Sequence, residues 1–151
     1  FSDIDRLVEV VKQVGPIQFV FAGKAHPKDN PGKEVIRRIF EVSHQLRGQI
    51  PVVFLEDYDM ELSRLIVSGV DLWLNTPQRP LEASGTSGMK AAHNGVPSFS
   101  ILDGWWIEGH IEGVTGWAIG SKEPELSKSD DFNRDDAEDL YQKLKKAIAP
   151  M

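Results

Sequence analysis

Glu82 and Lys90 bracket the stretch with the richest chemistry in the chain, Glu82-Ala83-Ser84-Gly85-Thr86-Ser87-Gly88-Met89-Lys90, entered through Pro80-Leu81. The eleven residues from Pro80 to Lys90 hold two glycines and three hydroxyl side chains. A loop of this composition running into a short helix bares backbone N–H groups at the positive end of the helix dipole, which suits phosphate or another anion. Glu82 can accept hydrogen bonds from hydroxyls. Lys90 can serve as a cation, a general base or an imine-forming amine. Its bland reading is an ordinary lysine on a helix surface. Three other segments carry candidates: Gly23-Lys24-Ala25-His26-Pro27, Glu56-Asp57-Tyr58, and Asp103-Gly104-Trp105-Trp106-Ile107-Glu108-Gly109. Lys24 reads either as a counter-charge for an anion or as a solvated loop lysine. Tyr58 reads as a pocket residue or as a half-buried aromatic with its hydroxyl satisfied. His26 reads as a loop hydrogen-bonder. Two adjacent tryptophans cannot both face one core in an extended chain, so one is expected to cover a ligand or a neighbouring lobe.

The elements that position these residues follow from periodicity. Ser2 or Asp3 caps a first helix with Ile4, Leu7, Val8, Val11 and Val14 at helical spacing, stopped by Gly15-Pro16. Residues 17–22 form an apolar run that reads as a strand buried on both faces. Asn30-Pro31 starts a second helix, which Gly48 ends. Residues 51–55 make a second buried strand. Asp59 caps a third helix closed by Gly69. Residues 70–75 are a third strand, followed by a rigid loop over 76–80. The helix that begins near Thr86 or Ser87 ends at Asn94-Gly95, with Pro97 beyond. Residues 97–102 are a fourth strand, and residues 113–120 read as a hairpin or short edge strand. Residues 121–134 read as a polar surface loop. A last helix then has Asp135, Asp136, Glu138 and Asp139 at its start and Lys143, Lys145 and Lys146 near its end. That distribution complements the helix dipole, so the acidic group needs no metal and none is assigned.

Strands alternating with helices predict an α/β fold, a Rossmann-like parallel sheet with helices on both faces. Ligands in such sheets bind at the carboxyl edge, so Lys24, Tyr58 and the Glu82–Lys90 loop are expected to converge there.

Composition narrows the partners. The chain has 151 residues, 23 acidic against 17 basic, for a formal charge of −6. No basic stripe suggests nucleic acid, and no apolar run is long enough to span a membrane. There is no cysteine, compatible with a cytoplasmic protein. Neither repeat nor linker interrupts residues 1–151, read as a single domain.

The Glu82–Lys90 motif resembles the signature of the α-glucan phosphorylase family (glycogen, starch and maltodextrin phosphorylases), E-A-S-G-T, two small or polar residues, then M-K. The form T-S-G-M-K-A is similar to the short bacterial and archaeal branch; the long animal and plant branch has G-T-G-N-M-K-F. Three flanking segments agree with the resemblance. Gly23–Pro27 is similar to the family's G-G-K-A-x-P, with Ala22 for the first glycine. Residues 54–58 match F-L-E-N-Y with Asp57 for the amide. Asp103–Gly109 matches the short branch's D-G-W-W-x-E-G, where the long branch has D-G-A-N-V-E. The resemblance covers about Phe21 to Gly120.

The resemblance implies the C-terminal lobe of a GT-B glycosyltransferase and reversible phosphorolysis of α-1,4-glucan by inorganic phosphate to glucose 1-phosphate. It implies pyridoxal 5′-phosphate held on Lys90 as a Schiff base. Thr86 and the N–H groups of Gly85 and Ser87 would cradle the cofactor phosphate, and Tyr58 would line its pocket. Glu82 and the backbone of Ala83, Ser84 and Gly85 would hold glucose hydroxyls, with Lys24 balancing charge. The family's Lys-Arg phosphate motif would lie upstream of Phe1. The chain opens without methionine and closes directly after a helical pattern, so it is expected to be an incomplete lobe, inactive alone and able to bind little cofactor. Its partner would be the N-terminal lobe of the same enzyme, which a homo-oligomer could contain. Two rivals stand beside this reading. One is a nucleotide-sugar-dependent glucan synthase lobe, against which Lys90 occupies the place of the second carboxylate in E-x-x-G-x-x-x-x-E. The other is a non-catalytic carbohydrate-binding domain.

Overall fold

Asp3 accepts the Arg6 N–H and caps helix α1, Ile4–Val14, which Gly15 ends at φ +104°. Leu7 and Val10 are its buried positions. The computed structural model from which these elements come describes residues 3–120 and 129–148. It divides the chain into two compact units, one drawn from Phe1–Met60 and Leu144–Met151, the other from Glu61–Lys143.

In the first unit, strand β1 (Phe19–Ala22) pairs in parallel with β2 (Val52–Leu55), Phe19 opposite Val52 and Ala22 opposite Leu55. Helix α2, Asn30–Gln45, joins them. Its cap is Asp29, which accepts the Gly32 N–H, one residue earlier than expected. Asn30 and Pro31 therefore sit inside the first turn, where proline costs no hydrogen bond. The helix stops at Gln45, ahead of Gly48, which turns the chain at φ +82°. Ser43 on α2 donates to the Val52 carbonyl at 2.7 Å, and the Phe40 and Phe54 rings stand 5.3 Å apart. The opposite face of this ladder corrects the expectation of strands buried on both sides. Val20 and Val53, paired across the ladder, remain 37% and 36% exposed. Side chains alternate along a strand, so cover by α2 buries only one set. A π-helical turn, Leu144–Ile148, packs against α1 through buried Leu144 and Ile148.

The second unit runs through α3 (Met60–Gly69, shared by one residue with the first), β3 (Trp73–Asn75), α4 (Thr86–His93), β4 (Ser98–Ile101), α5 (Trp106–Gly109), β5 (Gly116–Ile119) and α6 (Ser129–Lys143). Its sheet has the order β3-β4-β5, all parallel. Central β4 is buried along its whole length, as pairing on both edges with cover on both faces requires. β5 is the edge strand that residues 113–120 predict, but it pairs in parallel, so the hairpin alternative is excluded. At its start Gly116 takes φ +146°, and a Cβ there would stand 1.8 Å from the Ser98 carbonyl oxygen. Only glycine lets the two backbones approach so closely.

Alternation thus gives parallel α/β structure as expected, built as two ladders of two and three strands among the described residues. Two further corrections concern helices. The surface loop expected over 121–134 gives way to helix from Ser129; residues 121–128 lie outside the described residues. Residues 106–109 coil into one helical turn where an extended segment was assumed, and this reorients the tryptophan pair. No helix among the described residues is long and apolar enough to cross a membrane.

Candidate functional site

The loop from Pro80 to Gly85 is held by the segment that leaves β4. Asp103, 8% exposed, lies two residues past the end of that strand. Its Oδ2 accepts the Glu82 N–H at 3.0 Å and its Oδ1 the Gly104 N–H at 2.9 Å. Two residues on, the Trp105 N–H donates to the Ser84 carbonyl at 2.9 Å. Gly104, at φ +54°, fits between them, since a Cβ there would lie 2.7 Å from the Ser84 oxygen. Residues 82–84 are therefore laced to residues 103–105 by two hydrogen bonds. A loop with little apolar surface gains its order from these contacts rather than from burial.

Gly85 then takes φ +82° as the N-cap of α4 and offers the helix no side-chain acceptor. The opening N–H groups of an α-helix have no partner within the helix, so the first turn of α4 presents Thr86, Ser87 and Gly88 as uncapped donors at the positive end of the dipole. Thr86 and Ser87 are exposed, and Glu82 is half-buried. Thr86 and Lys90 are four residues apart on α4, hence neighbours on one face. Lys90 is exposed. Its carbonyl accepts Asn94 Nδ2 at 2.8 Å, and among the described residues its ammonium makes no ion pair. An exposed amine beside a hydroxyl and uncapped N–H groups can engage a carbonyl compound that also carries an anionic group.

The entry to the loop is fixed from another direction. The Arg79–Pro80 peptide is cis, and Arg79 Nη2 reaches both carboxylate oxygens of Asp136 on α6 at 2.6 Å. The two side chains are only 15% and 12% exposed.

Further along the unit, Glu112 gathers a polar cluster. It takes the Ala118 N–H at 3.1 Å and His110 Nε2 at 2.7 Å. Lys143 donates to the Ala118 carbonyl at 2.8 Å and pairs with Asp139 at 3.0 Å. Burial acts to raise the Glu112 carboxyl, but the Ala118 N–H, His110 and Lys143 together hold it below its ordinary value. These contacts tie α6 to β5. Among the described residues no group of three or more His, Cys, Asp or Glu stands ready for a metal ion.

The other expected site residues belong to the first unit. Lys24, exposed, follows β1, and Tyr58, half-buried, follows β2. Because those strands are parallel neighbours, both residues leave the same carboxyl edge. His26 Nδ1 accepts the Lys28 N–H at 3.2 Å, the loop role expected of it. Asp57 adopts φ +54°, a left-handed conformation that Asn and Asp tolerate better than most residues, so the carboxylate keeps the backbone shape an asparagine would have there.

The premise of an extended tryptophan pair is corrected. Trp106 is 1% exposed and packs with Leu102 and Ala118, and Trp105 packs against that cluster. In a helical turn, successive side chains diverge by about 100° rather than 180°, so both can meet the same unit. Sequence reading passed over Asp103 and Arg79 as site-building residues. The signal for Asp103 was its place: a carboxylate just past a buried strand and before a glycine.

A family model described as carbohydrate phosphorylase matches residues 2–149. Maltodextrin phosphorylase of Thermococcus litoralis is 47% identical over 99% of this chain and 18% of its own length. Glycogen phosphorylase of Aquifex aeolicus is 49% identical over 100% of the chain and 21% of its own length, and that of Mycobacterium tuberculosis is 44% identical over 98% and 17%. The chain spans about a fifth of the length of the curated relatives it matches.

Proposed function

Since the chain belongs to the carbohydrate phosphorylase family, we propose that it forms part of the cofactor-bearing C-terminal lobe of a GT-B α-glucan phosphorylase. The whole protein would transfer a glucosyl unit from α-1,4-glucan to inorganic phosphate, reversibly and with retained configuration, yielding glucose 1-phosphate. The observation that carries the reading is the juxtaposition on α4: an uncapped first turn, the Thr86 hydroxyl, and an accessible Lys90 one turn later on the same face.

These residues fit pyridoxal 5′-phosphate, which combines an aldehyde with a phosphate. Lys90 would tether it covalently. Thr86 and the N–H groups of Gly85 and Ser87 would take its phosphate, and Tyr58 would line the ring's pocket. When bound, the group supplies a phosphate that can pass a proton to and from the substrate phosphate. The chain's own task is electrostatic. Two phosphates must approach despite like charge, and fixed N–H dipoles lower the cost of that approach, with Lys24 the candidate counter-charge. Glu82 and the backbone of Ala83, Ser84 and Gly85 would orient the glucose hydroxyls. Asp103 supports them by fixing the Glu82 main chain. Lys24 and Tyr58 would act from the carboxyl edge of their own β1–β2 ladder, and the N-terminal lobe of the same polypeptide would complete the enzyme. The reading carries a cytoplasmic location, where phosphate and sugar phosphate are retained.

The test is borohydride reduction of the full-length protein loaded with pyridoxal phosphate, followed by peptide mass spectrometry. A pyridoxyl group on Lys90, absent in Lys90→Ala, together with phosphate-dependent glucose 1-phosphate release, is the expected result. A protein that takes up the cofactor at another lysine, or turns over a nucleotide sugar instead, refutes it.

A further inference from the structure

Gly88 lies inside α4 with ordinary helical geometry, where alanine would be the more favourable residue. Alanine there would press on Trp105, which would have to give by a few tenths of an ångström. A Cβ on Gly88 would stand 3.0 Å from Trp105 Nε1, and one on Gly85 would stand 3.1 Å from Trp105 Cδ1. On its far edge the same indole fills the space beside Gly109, where a Cβ would lie 2.4 Å from Cζ3. The ring thus rests on glycines from two segments, the opening of α4 and the end of α5. The Trp105 main-chain N–H donates to the Ser84 carbonyl. Among the described residues no other side chain approaches both Gly85 and Gly88 at these distances.

We propose that Trp105 is the positioning residue for the anion-binding turn, setting where the Gly85–Gly88 backbone stands and hence where the Thr86 hydroxyl and Lys90 are presented. The indole is rigid and broad, and it contacts the turn where glycine leaves the backbone bare. Any displacement of the ring therefore moves the backbone donors directly rather than through a flexible side chain.

The cofactor part of this inference rests on the function proposed above, and the experiment separates the two. In the full-length protein, Trp105→Ala, Trp105→Phe, Gly88→Ala and the Trp105→Ala/Gly88→Ala pair are titrated with pyridoxal phosphate. Loading is read as borohydride-fixed pyridoxyl on Lys90. Trp105→Ala and Gly88→Ala are each expected to raise the half-loading concentration about tenfold, the scale of one weakened hydrogen bond to a charged group. Trp105→Phe is expected to recover most of the loss, since a ring restores the support. In the pair, the Gly88 substitution adds nothing, because the clash is gone. Loading by Trp105→Ala equal to wild type, or two losses that multiply, overturns the inference. If wild type takes no cofactor at Lys90, the proposed function falls. The same four proteins are then compared by amide exchange at Ser87 and Met89. Non-additive rates there uphold the positioning role and additive rates end it. Should Trp105→Ala not fold, Trp105→Leu, which removes the ring but keeps apolar bulk, replaces it in the cycle.

Discussion

Replacing Asp103 by asparagine tests how the loop is held. The carboxylate serves two backbone donors, Glu82 N–H on Oδ2 and Gly104 N–H on Oδ1, and it is buried. Asparagine keeps the shape but has one oxygen and one NH₂. Whichever way the amide turns, one of the two N–H groups faces another donor. A buried donor left without an acceptor costs about 1–3 kcal/mol. At about 2 kcal/mol, local opening becomes about 30-fold more frequent. Residue-resolved amide hydrogen exchange reads this directly, because it measures opening at each site. The expected result is roughly 30-fold faster exchange at Glu82 or Gly104, following the relation above. Amides beyond the second unit, such as Val42 on α2, should keep their rates. Unchanged exchange at both Glu82 and Gly104 would refute the claim that Asp103 laces the loop. An equal acceleration at Val42 would also refute it, since the effect would then be global.

Removing the Asp136 carboxylate with Asp136→Ala takes away the counter-charge that Arg79 Nη2 contacts, and the expected loss is about 3 kcal/mol; replacing both by leucine should recover much of it, as read by urea denaturation. Gly116→Ala drives a methyl into the Ser98 carbonyl and forces φ +146° on an L-residue, so a loss on the order of 3–5 kcal/mol is expected in the same assay, with selective loss of amide protection along β4 and β5. Acidification should loosen the α6–β5 contact. Because the folded-state pKa of Glu112 lies below its ordinary 4.5, its contribution is present above that value and is lost as pH falls through the folded pKa. Glu112→Gln should flatten this part of the stability–pH curve, and an unchanged acid limb would show that the cluster contributes nothing.

Local structure and the chemistry on offer were legible in the residues alone. Helical spacing and Asp3 gave α1, the Asn94-Gly95 end of α4 stood where those residues terminate a helix, and strand–helix alternation required parallel pairing. The Glu82–Lys90 motif announced a helix start rich in donors with an amine one turn inside, because such properties depend only on neighbours in the chain. What tertiary structure decided were the contacts between distant segments. Asp103 is an unremarked acid until β4 delivers it beneath Glu82. Arg79 is a loop cation until α6 brings Asp136 to it. The tryptophan pair was misread because extended and helical turns send successive side chains in different directions, and nothing in D-G-W-W itself chooses between them. Burial was the other quantity the sequence could not supply. Val20 and Val53 have the composition of core strands, yet exposure depends on what covers each face, and the chain packs only one.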